Sequence, residues 1–228
     1  MADTEKSSRG INADTVCQSV LASFASAKVT HAPYTYWEAR ALLPDALVSD
    51  ICALPFKAPD LGGVSGKREK HNATRTYFDA ANRETYAFVD AAAQAFQTPV
   101  VTKAIEQAFQ TDLSGAYLRM EYAQDIDGFW LQPHSDLGVK LFTLLLYLSD
   151  DPAHSGLGTD IYDGDKNHVR AAPFIPNGAM IFVPSDNTFH GFEKRPIAGI
   201  RKSLIINYVT EEWRERTQLA FPDHPIGN

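Results

Sequence analysis

Two patterns of apolar and polar positions divide the chain. Between residues 13 and 113 apolar side chains recur at helical spacing: Val16, Val20, Phe24 and Ala27 stand 4, 4 and 3 apart behind Asp14, a candidate cap. Leu47, Ile51 and Leu54 share one face of a second helix that Leu43-Pro44 opens. Tyr86, Val89, Ala93 and Phe96 mark another, and Thr98-Pro99 caps and opens the next, running to about Gln110. Residues 57–72, KAPDLGGVSGKREKHN, have no period and many glycines and lysines, which predicts an exposed loop, either a lid or a plain connector. From Ser114 onward the pattern is different. Short apolar runs alternate with Gly, Pro, Asn and Asp: AYLRMEY, FWLQPHSD, VKLFTLLLYL, GTDIYDGDKN, HVRAAPFIPNG, AMIFVPSDN, TFHGFE and GIRKSLIINYV. Runs of this length between turn residues predict a sheet-rich sandwich or barrel. The expected organisation is a flexible N-terminus at 1–12 and one domain at 13–228. In that domain a mainly helical part (13–113) packs on a C-terminal antiparallel jelly roll (114–210).

Composition narrows the class of partner. A length of 228 residues suits a single core, since all-β sandwiches and barrels run to roughly 200–250 residues as one unit. The net charge of -7 argues against nucleic acid held through its phosphates. No apolar stretch approaches the roughly 20 residues of a membrane span, because LFTLLLYL ends at Ser149-Asp150-Asp151. Cys17 and Cys52 are the only cysteines, and MADTEKSSRG has no apolar core of a secretory signal, so a cytoplasmic setting is expected.

Candidate chemistry lies in the sheet-rich half. His134 and Asp136 form a His-x-Asp pair, and His190 follows in the short run TFHGFE. Chance alone supplies roughly one His-x-Asp pair in every two chains of this composition, so context must carry the reading. Residues two apart on a strand share a face about 6.6 Å apart along its axis, which lets imidazole and carboxylate converge on one ion. Two histidines and one carboxylate leave open positions on an octahedral ferrous ion, whereas a structural zinc site is more often closed by four protein ligands.

GIRKSLIINYV adds an anion-binding candidate. Read with period two, it puts Arg201, Ser203, Ile205 and Asn207 on one face and Lys202, Leu204, Ile206 and Tyr208 on the other. An arginine turned into a barrel needs an anionic partner. Either an internal Asp or Glu supplies it, or a dicarboxylate ligand does, chelating the metal at one end and meeting Arg201 and Ser203 at the other.

These residues, HSD at 134–136, His190 and Arg201-x-Ser203, resemble the motif of the 2-oxoglutarate-dependent non-haem Fe(II) oxygenases over Tyr117 to Tyr208. LLYLSDD followed by GLGTDIY resembles the prolyl-hydroxylase branch, with Ser149 where that branch has asparagine. The resemblance implies an α+β fold, a double-stranded β-helix (a cupin-like jelly roll) with packed N-terminal helices. It implies Fe(II) on His134, Asp136 and His190, with 2-oxoglutarate and dioxygen as cosubstrates and ascorbate as an auxiliary reductant. Arg201, Ser203, Tyr147 and Tyr122 would hold the cosubstrate, and Asn207 stands where the branch has a bulky residue near the iron. Retention of Asp136 points to hydroxylation rather than halogenation. The substrate would be a small molecule or a peptide, with no nucleic acid and no membrane expected; the sequence sets neither the substrate nor the oligomeric state. Arg75, Arg119 and Trp130 are either substrate contacts or ordinary surface and packing residues. Two other readings stay open: a metal-dependent jelly-roll isomerase or dioxygenase that does not use 2-oxoglutarate, and a noncatalytic binding module.

Overall fold

Each of the eight apolar runs after Ser114 forms a strand in the computed structural model of the chain, which describes residues 10–59, 66, 75–136 and 138–227. They are β4 (Tyr117–Asp125), β5 (Leu131–His134), β6 (Lys140–Tyr147), β7 (Asp160–Tyr162), β8 (His168–Ala171), β9 (Gly178–Phe182), β10 (His190–Phe192) and β11 (Arg201–Val209). The part expected to be mainly helical supplies three more strands: β1 (Lys28–Thr30), β2 (Tyr36–Arg40) and β3 (Thr76–Tyr77). The strands form two antiparallel sheets, a larger one in the order β1-β2-β9-β6-β11-β4-β3 and a smaller one in the order β5-β10-β7-β8. This is the double-stranded β-helix.

Among the described residues, five α-helices accompany the sheets: α1 (Ala13–Ala25), α2 (Asp45–Cys52), α3 (Ala80–Thr85), α4 (Ala87–Gln97) and α5 (Pro99–Phe109). The cap of α1 is Asn12, not Asp14. Asn12 and Thr15 bond reciprocally to each other's main-chain N–H groups, a complete capping box that leaves Asp14 in the first turn. Thr98 caps α5 as expected, with Pro99 in its first turn.

Strand periodicity sorts the apolar residues into two cores. Leu118, Met120, Phe142, Leu144, Leu146, Leu204, Ile206 and Tyr208 turn to the helices and pack with Val20, Phe24, Val89, Phe96 and Ile105. The intervening positions face the smaller sheet, where Leu145, Tyr147, Met180 and Phe182 meet Ile161, Phe174 and Phe192. The larger sheet is thus buried on both faces, and the polar residues of its inner face have to be explained. No helix among the described residues is long and apolar enough to cross a membrane. The stretches read as a flexible N-terminus and as a loop at 57–72 lie outside the described residues apart from 10–12, 57–59 and 66.

Candidate metal and cosubstrate site

Pairing of β5 with β10 brings the two histidines together. His134, the last residue of β5, lies opposite His190, the first of β10, and the ring centroids are 4.3 Å apart. Asp136 lies just beyond the end of β5 rather than on it, yet its carboxylate reaches both rings: Oδ1 is 3.7 Å from His134 Nε2, and Oδ2 is 3.7 Å from His190 Nε2. Three candidate ligand atoms therefore sit within 4.8 Å of one another.

Main-chain carbonyls set the ring states. His134 Nδ1 lies 2.9 Å from the Gln132 carbonyl and His190 Nδ1 lies 3.0 Å from the Thr188 carbonyl. A carbonyl only accepts, so each Nδ1 carries a proton, and each ring turns its Nε2 edge toward Asp136. Such outer partners are what a metal site uses to orient imidazole ligands. Asp136 is held in the same way. Oδ2 accepts from Thr143 Oγ1 at 3.1 Å, and Lys140 Nζ lies 2.8 Å from Oδ1. Thr143 in turn accepts from Asn207 Nδ2 at 3.0 Å, and Asn207 Oδ1 accepts from Arg119 Nη1 at 3.1 Å. Register explains this chain, since Asn207 on β11 pairs with Thr143 on β6 and with Arg119 on β4. The nitrogen, nitrogen and carboxylate donors fit a ferrous ion, and the ordered second partners leave their metal-facing atoms directed inward.

A cavity between the sheets runs from His190 to Arg201, with about 650 Å³ of atom-free space counted out to solvent. Tyr147, Thr159, Ser203, Ile205, Leu145 and Arg75 are among its walls. Arg201 is 6% exposed; its Nε donates to the Leu157 carbonyl at 2.7 Å and its Nη1 to Asp125 Oδ2 at 2.6 Å. Of the two partners weighed for the arginine, the internal carboxylate is present as Asp125, and the cavity opens beside the pair. Ser203 sits opposite Tyr147 across the β11–β6 ladder. The Tyr147 hydroxyl donates to Thr159 Oγ1 at 3.0 Å and accepts from Thr159 N–H at 3.2 Å. Burial raises its pKa above the ordinary tyrosine value against the lowering effect of the Thr159 bonds, so it remains a hydroxyl at neutral pH.

The structure brings His134, Asp136, His190, Arg201, Ser203 and Tyr147 to this region. Tyr122 is not brought there. Glu121, Ala123 and Asp125 are the β4 residues that face the cavity, so Tyr122 points the other way, opposite Leu204, and packs on Phe56 at 6.1 Å in the helical layer. Of the other residues weighed from sequence, Arg75 lines the cavity, and Arg119 is fully buried behind it. Trp130 is half-buried against Gly66, whose carbonyl accepts from Gln132 N–H at 3.0 Å. Sequence reading missed Asp125 and Lys140, although the period-two placement of Asp125 with Glu121 on β4 was an available signal.

Solved structures share this fold. A prolyl-4-hydroxylase from Pseudomonas putida superposes with a TM-score of 0.55 at 16% identity, over 86% of this chain and 94% of its own. A prolyl hydroxylase from Trichoplax adhaerens, solved in complex with a hypoxia inducible factor oxygen degradation domain peptide, gives 0.55 at 13% identity over 88% and 91%. A prolyl 4-hydroxylase from Phytophthora capsici gives 0.55 at 15% identity over 93% and 67%. No protein-family model matches the sequence, and a sequence search of curated proteins finds no match.

Proposed function

We propose that this chain is an Fe(II)- and 2-oxoglutarate-dependent dioxygenase that hydroxylates a C–H bond of a small molecule or a peptide side chain, releasing succinate and CO2. The observation that carries the reading is the cavity joining the His134–Asp136–His190 cluster to the buried Arg201 and Ser203. His134, Asp136 and His190 would hold the iron, and Arg201, with Ser203 and Tyr147 beside it, would receive the distal carboxylate of the cosubstrate. When bound, the metal supplies the oxidative chemistry, coupling decarboxylation of the cosubstrate to oxygen insertion. The protein's own residues orient and shield. The Gln132 and Thr188 carbonyls hold the Nδ1 side of each ring, Thr143 and Lys140 contact Asp136, and Leu145, Ile205, Phe129 and Phe192 give the cavity apolar walls. The reading treats 13–228 as one oxygenase domain, since both cores are built on the same large sheet.

Anaerobic addition of Fe(II) and 2-oxoglutarate together is expected to give a visible charge-transfer band that neither gives alone, lost in His134→Ala and weakened in Arg201→Ala. Succinate release during a substrate screen, with product masses read in parallel, then names the substrate. Iron binding with no dependence on 2-oxoglutarate would instead favour a metal-dependent jelly-roll enzyme of another type, a result that the existing Arg201–Asp125 pair would help to explain.

A further inference from the structure

Arg201 faces the cavity with its charge already met. Asp125 bridges two arginines there: Oδ2 lies 2.6 Å from Arg201 Nη1, and Oδ1 lies 2.9 Å from Arg75 Nη1. All three side chains are at most 8% exposed. Arg75 has a second carboxylate within reach, its Nε standing 3.5 Å from Glu121 Oε1. Burial works against the charge on Arg75, but Asp125 and Glu121 outweigh it and hold its pKa above the ordinary value, so it stays a cation.

Asp125 is not needed to aim Arg201. The Leu157 carbonyl fixes Nε, and the guanidinium lies against Phe192 at 4.8 Å and Phe174 at 5.5 Å. What Asp125 adds is negative charge, placed where an incoming carboxylate would sit. A ligand carboxylate gains less from a guanidinium that is already neutralised than from one that is not.

We propose that Asp125 competes with the cosubstrate for Arg201, and that Arg75 is the cation to which Asp125 retreats, so that the pair sets the affinity of the cavity for a dicarboxylate. The inference rests on the reading of Arg201 as the cosubstrate anchor. On binding, the Asp125–Arg201 ion pair is exchanged for one between ligand and Arg201, while Asp125 keeps Arg75. No buried carboxylate is left without a cation at either end of the exchange.

Calorimetric titration of Mn(II)-loaded protein with 2-oxoglutarate tests this, with Mn(II) affinity and melting temperature recorded for each variant. Asp125→Asn, which removes charge but not shape, is expected to tighten 2-oxoglutarate binding roughly tenfold, and Arg75→Gln to weaken it severalfold. In the double variant the Arg75→Gln penalty should vanish, because the competitor that Arg75 restrains has lost its charge. Weaker binding in Asp125→Asn, or a penalty that persists in the double variant, overturns the proposal. If Asp125→Asn does not fold, Arg75→Gln alone decides, and unchanged or tighter binding there overturns it. Wild-type protein that takes up Mn(II) but no 2-oxoglutarate sinks the cosubstrate reading and the exchange with it. Normal wild-type binding with an unmoved Arg75→Gln sinks the exchange alone.

Discussion

At the scale of single residues, the Thr143 hydroxyl is the junction between the candidate metal ligand and the polar inner face of the large sheet. It donates to Asp136 Oδ2 at 3.1 Å and accepts from Asn207 Nδ2 at 3.0 Å, and it is 1% exposed. Thr143→Val keeps the shape and removes both bonds, so Asp136 loses one of the contacts that orient its carboxylate. The expected result is a loss of metal affinity of about 10- to 100-fold with a stability cost of about 1–3 kcal/mol, read by Mn(II) titration and urea unfolding. Unchanged affinity would show that the Thr143 bond is not what orients Asp136. The residues on which this depends were unequally legible. His134, Asp136, His190 and Arg201 stand out in sequence by residue type and order, and a period of two assigns the face of Arg201 on β11, whereas Asp136 reaches the histidines from beyond the end of β5. The bonds between them are set by register: Asp125 meets Arg201, 76 residues later, only because β4 and β11 pair at that offset, and no local pattern encodes an offset. Tyr122 failed for the complementary reason. A tyrosine suits either face of a strand, and only the phase fixed by Glu121 and Asp125 puts its ring among the helices.

At the scale of elements, the site depends on how closely β5 and β10 approach. Gly191 follows His190, and a Cβ built on it would stand 2.6 Å from the Leu131 carbonyl oxygen and 3.2 Å from Gln132 main-chain atoms. These obstacles are backbone, so Gly191→Ala has to push β5 away from β10. The two strands carry His134 and His190 opposite each other, and a metal site tolerates misplacement of only about 0.5 Å. Gly191→Ala is therefore expected to cost about 1–3 kcal/mol of stability and to reduce Mn(II) affinity by a larger factor than that loss explains. Gly164→Ala, where a Cβ meets nothing within 4 Å, is the control and should change neither quantity. A Gly191→Ala protein with wild-type metal binding would mean that the ladder yields elsewhere. Elements also differ in how far sequence foretells them. The eight strands after Ser114 carry their own alternation and turn residues, whereas β1 and β2 span 3 and 5 residues. β2 becomes a strand by pairing with β9, a partner about 140 residues away that no local pattern near β2 announces.

At the scale of the whole molecule, the large sheet divides the labour. Its outer face and the helices form an apolar core, while its inner face carries Arg201 and lines the cavity, across from the smaller sheet whose strands β5 and β10 bring the two histidines of the metal cluster. The cluster draws on β5, β10 and Asp136 just beyond β5, while Arg201 comes from β11, so both sheets must be docked before the site exists. Ligands that use it must then bind the folded state alone and stabilise it by mass action. A metal ion at about 100 times its Kd adds about 2.7 kcal/mol. For a chain of this length each kcal/mol moves the melting temperature by about 2–4 °C, giving a rise of about 5–10 °C. Mn(II) should produce that rise in the wild type, and 2-oxoglutarate should add a further rise only when Mn(II) is present, because its chelating end needs the ion. His134→Ala should lose both increments and Arg201→Ala only the second. Thermal melts with and without each ligand separate the cases. An equal rise in the wild type and His134→Ala would place the stabilising ion outside this cluster, and a rise with 2-oxoglutarate alone would mean that the arginines capture a dicarboxylate without help from the metal.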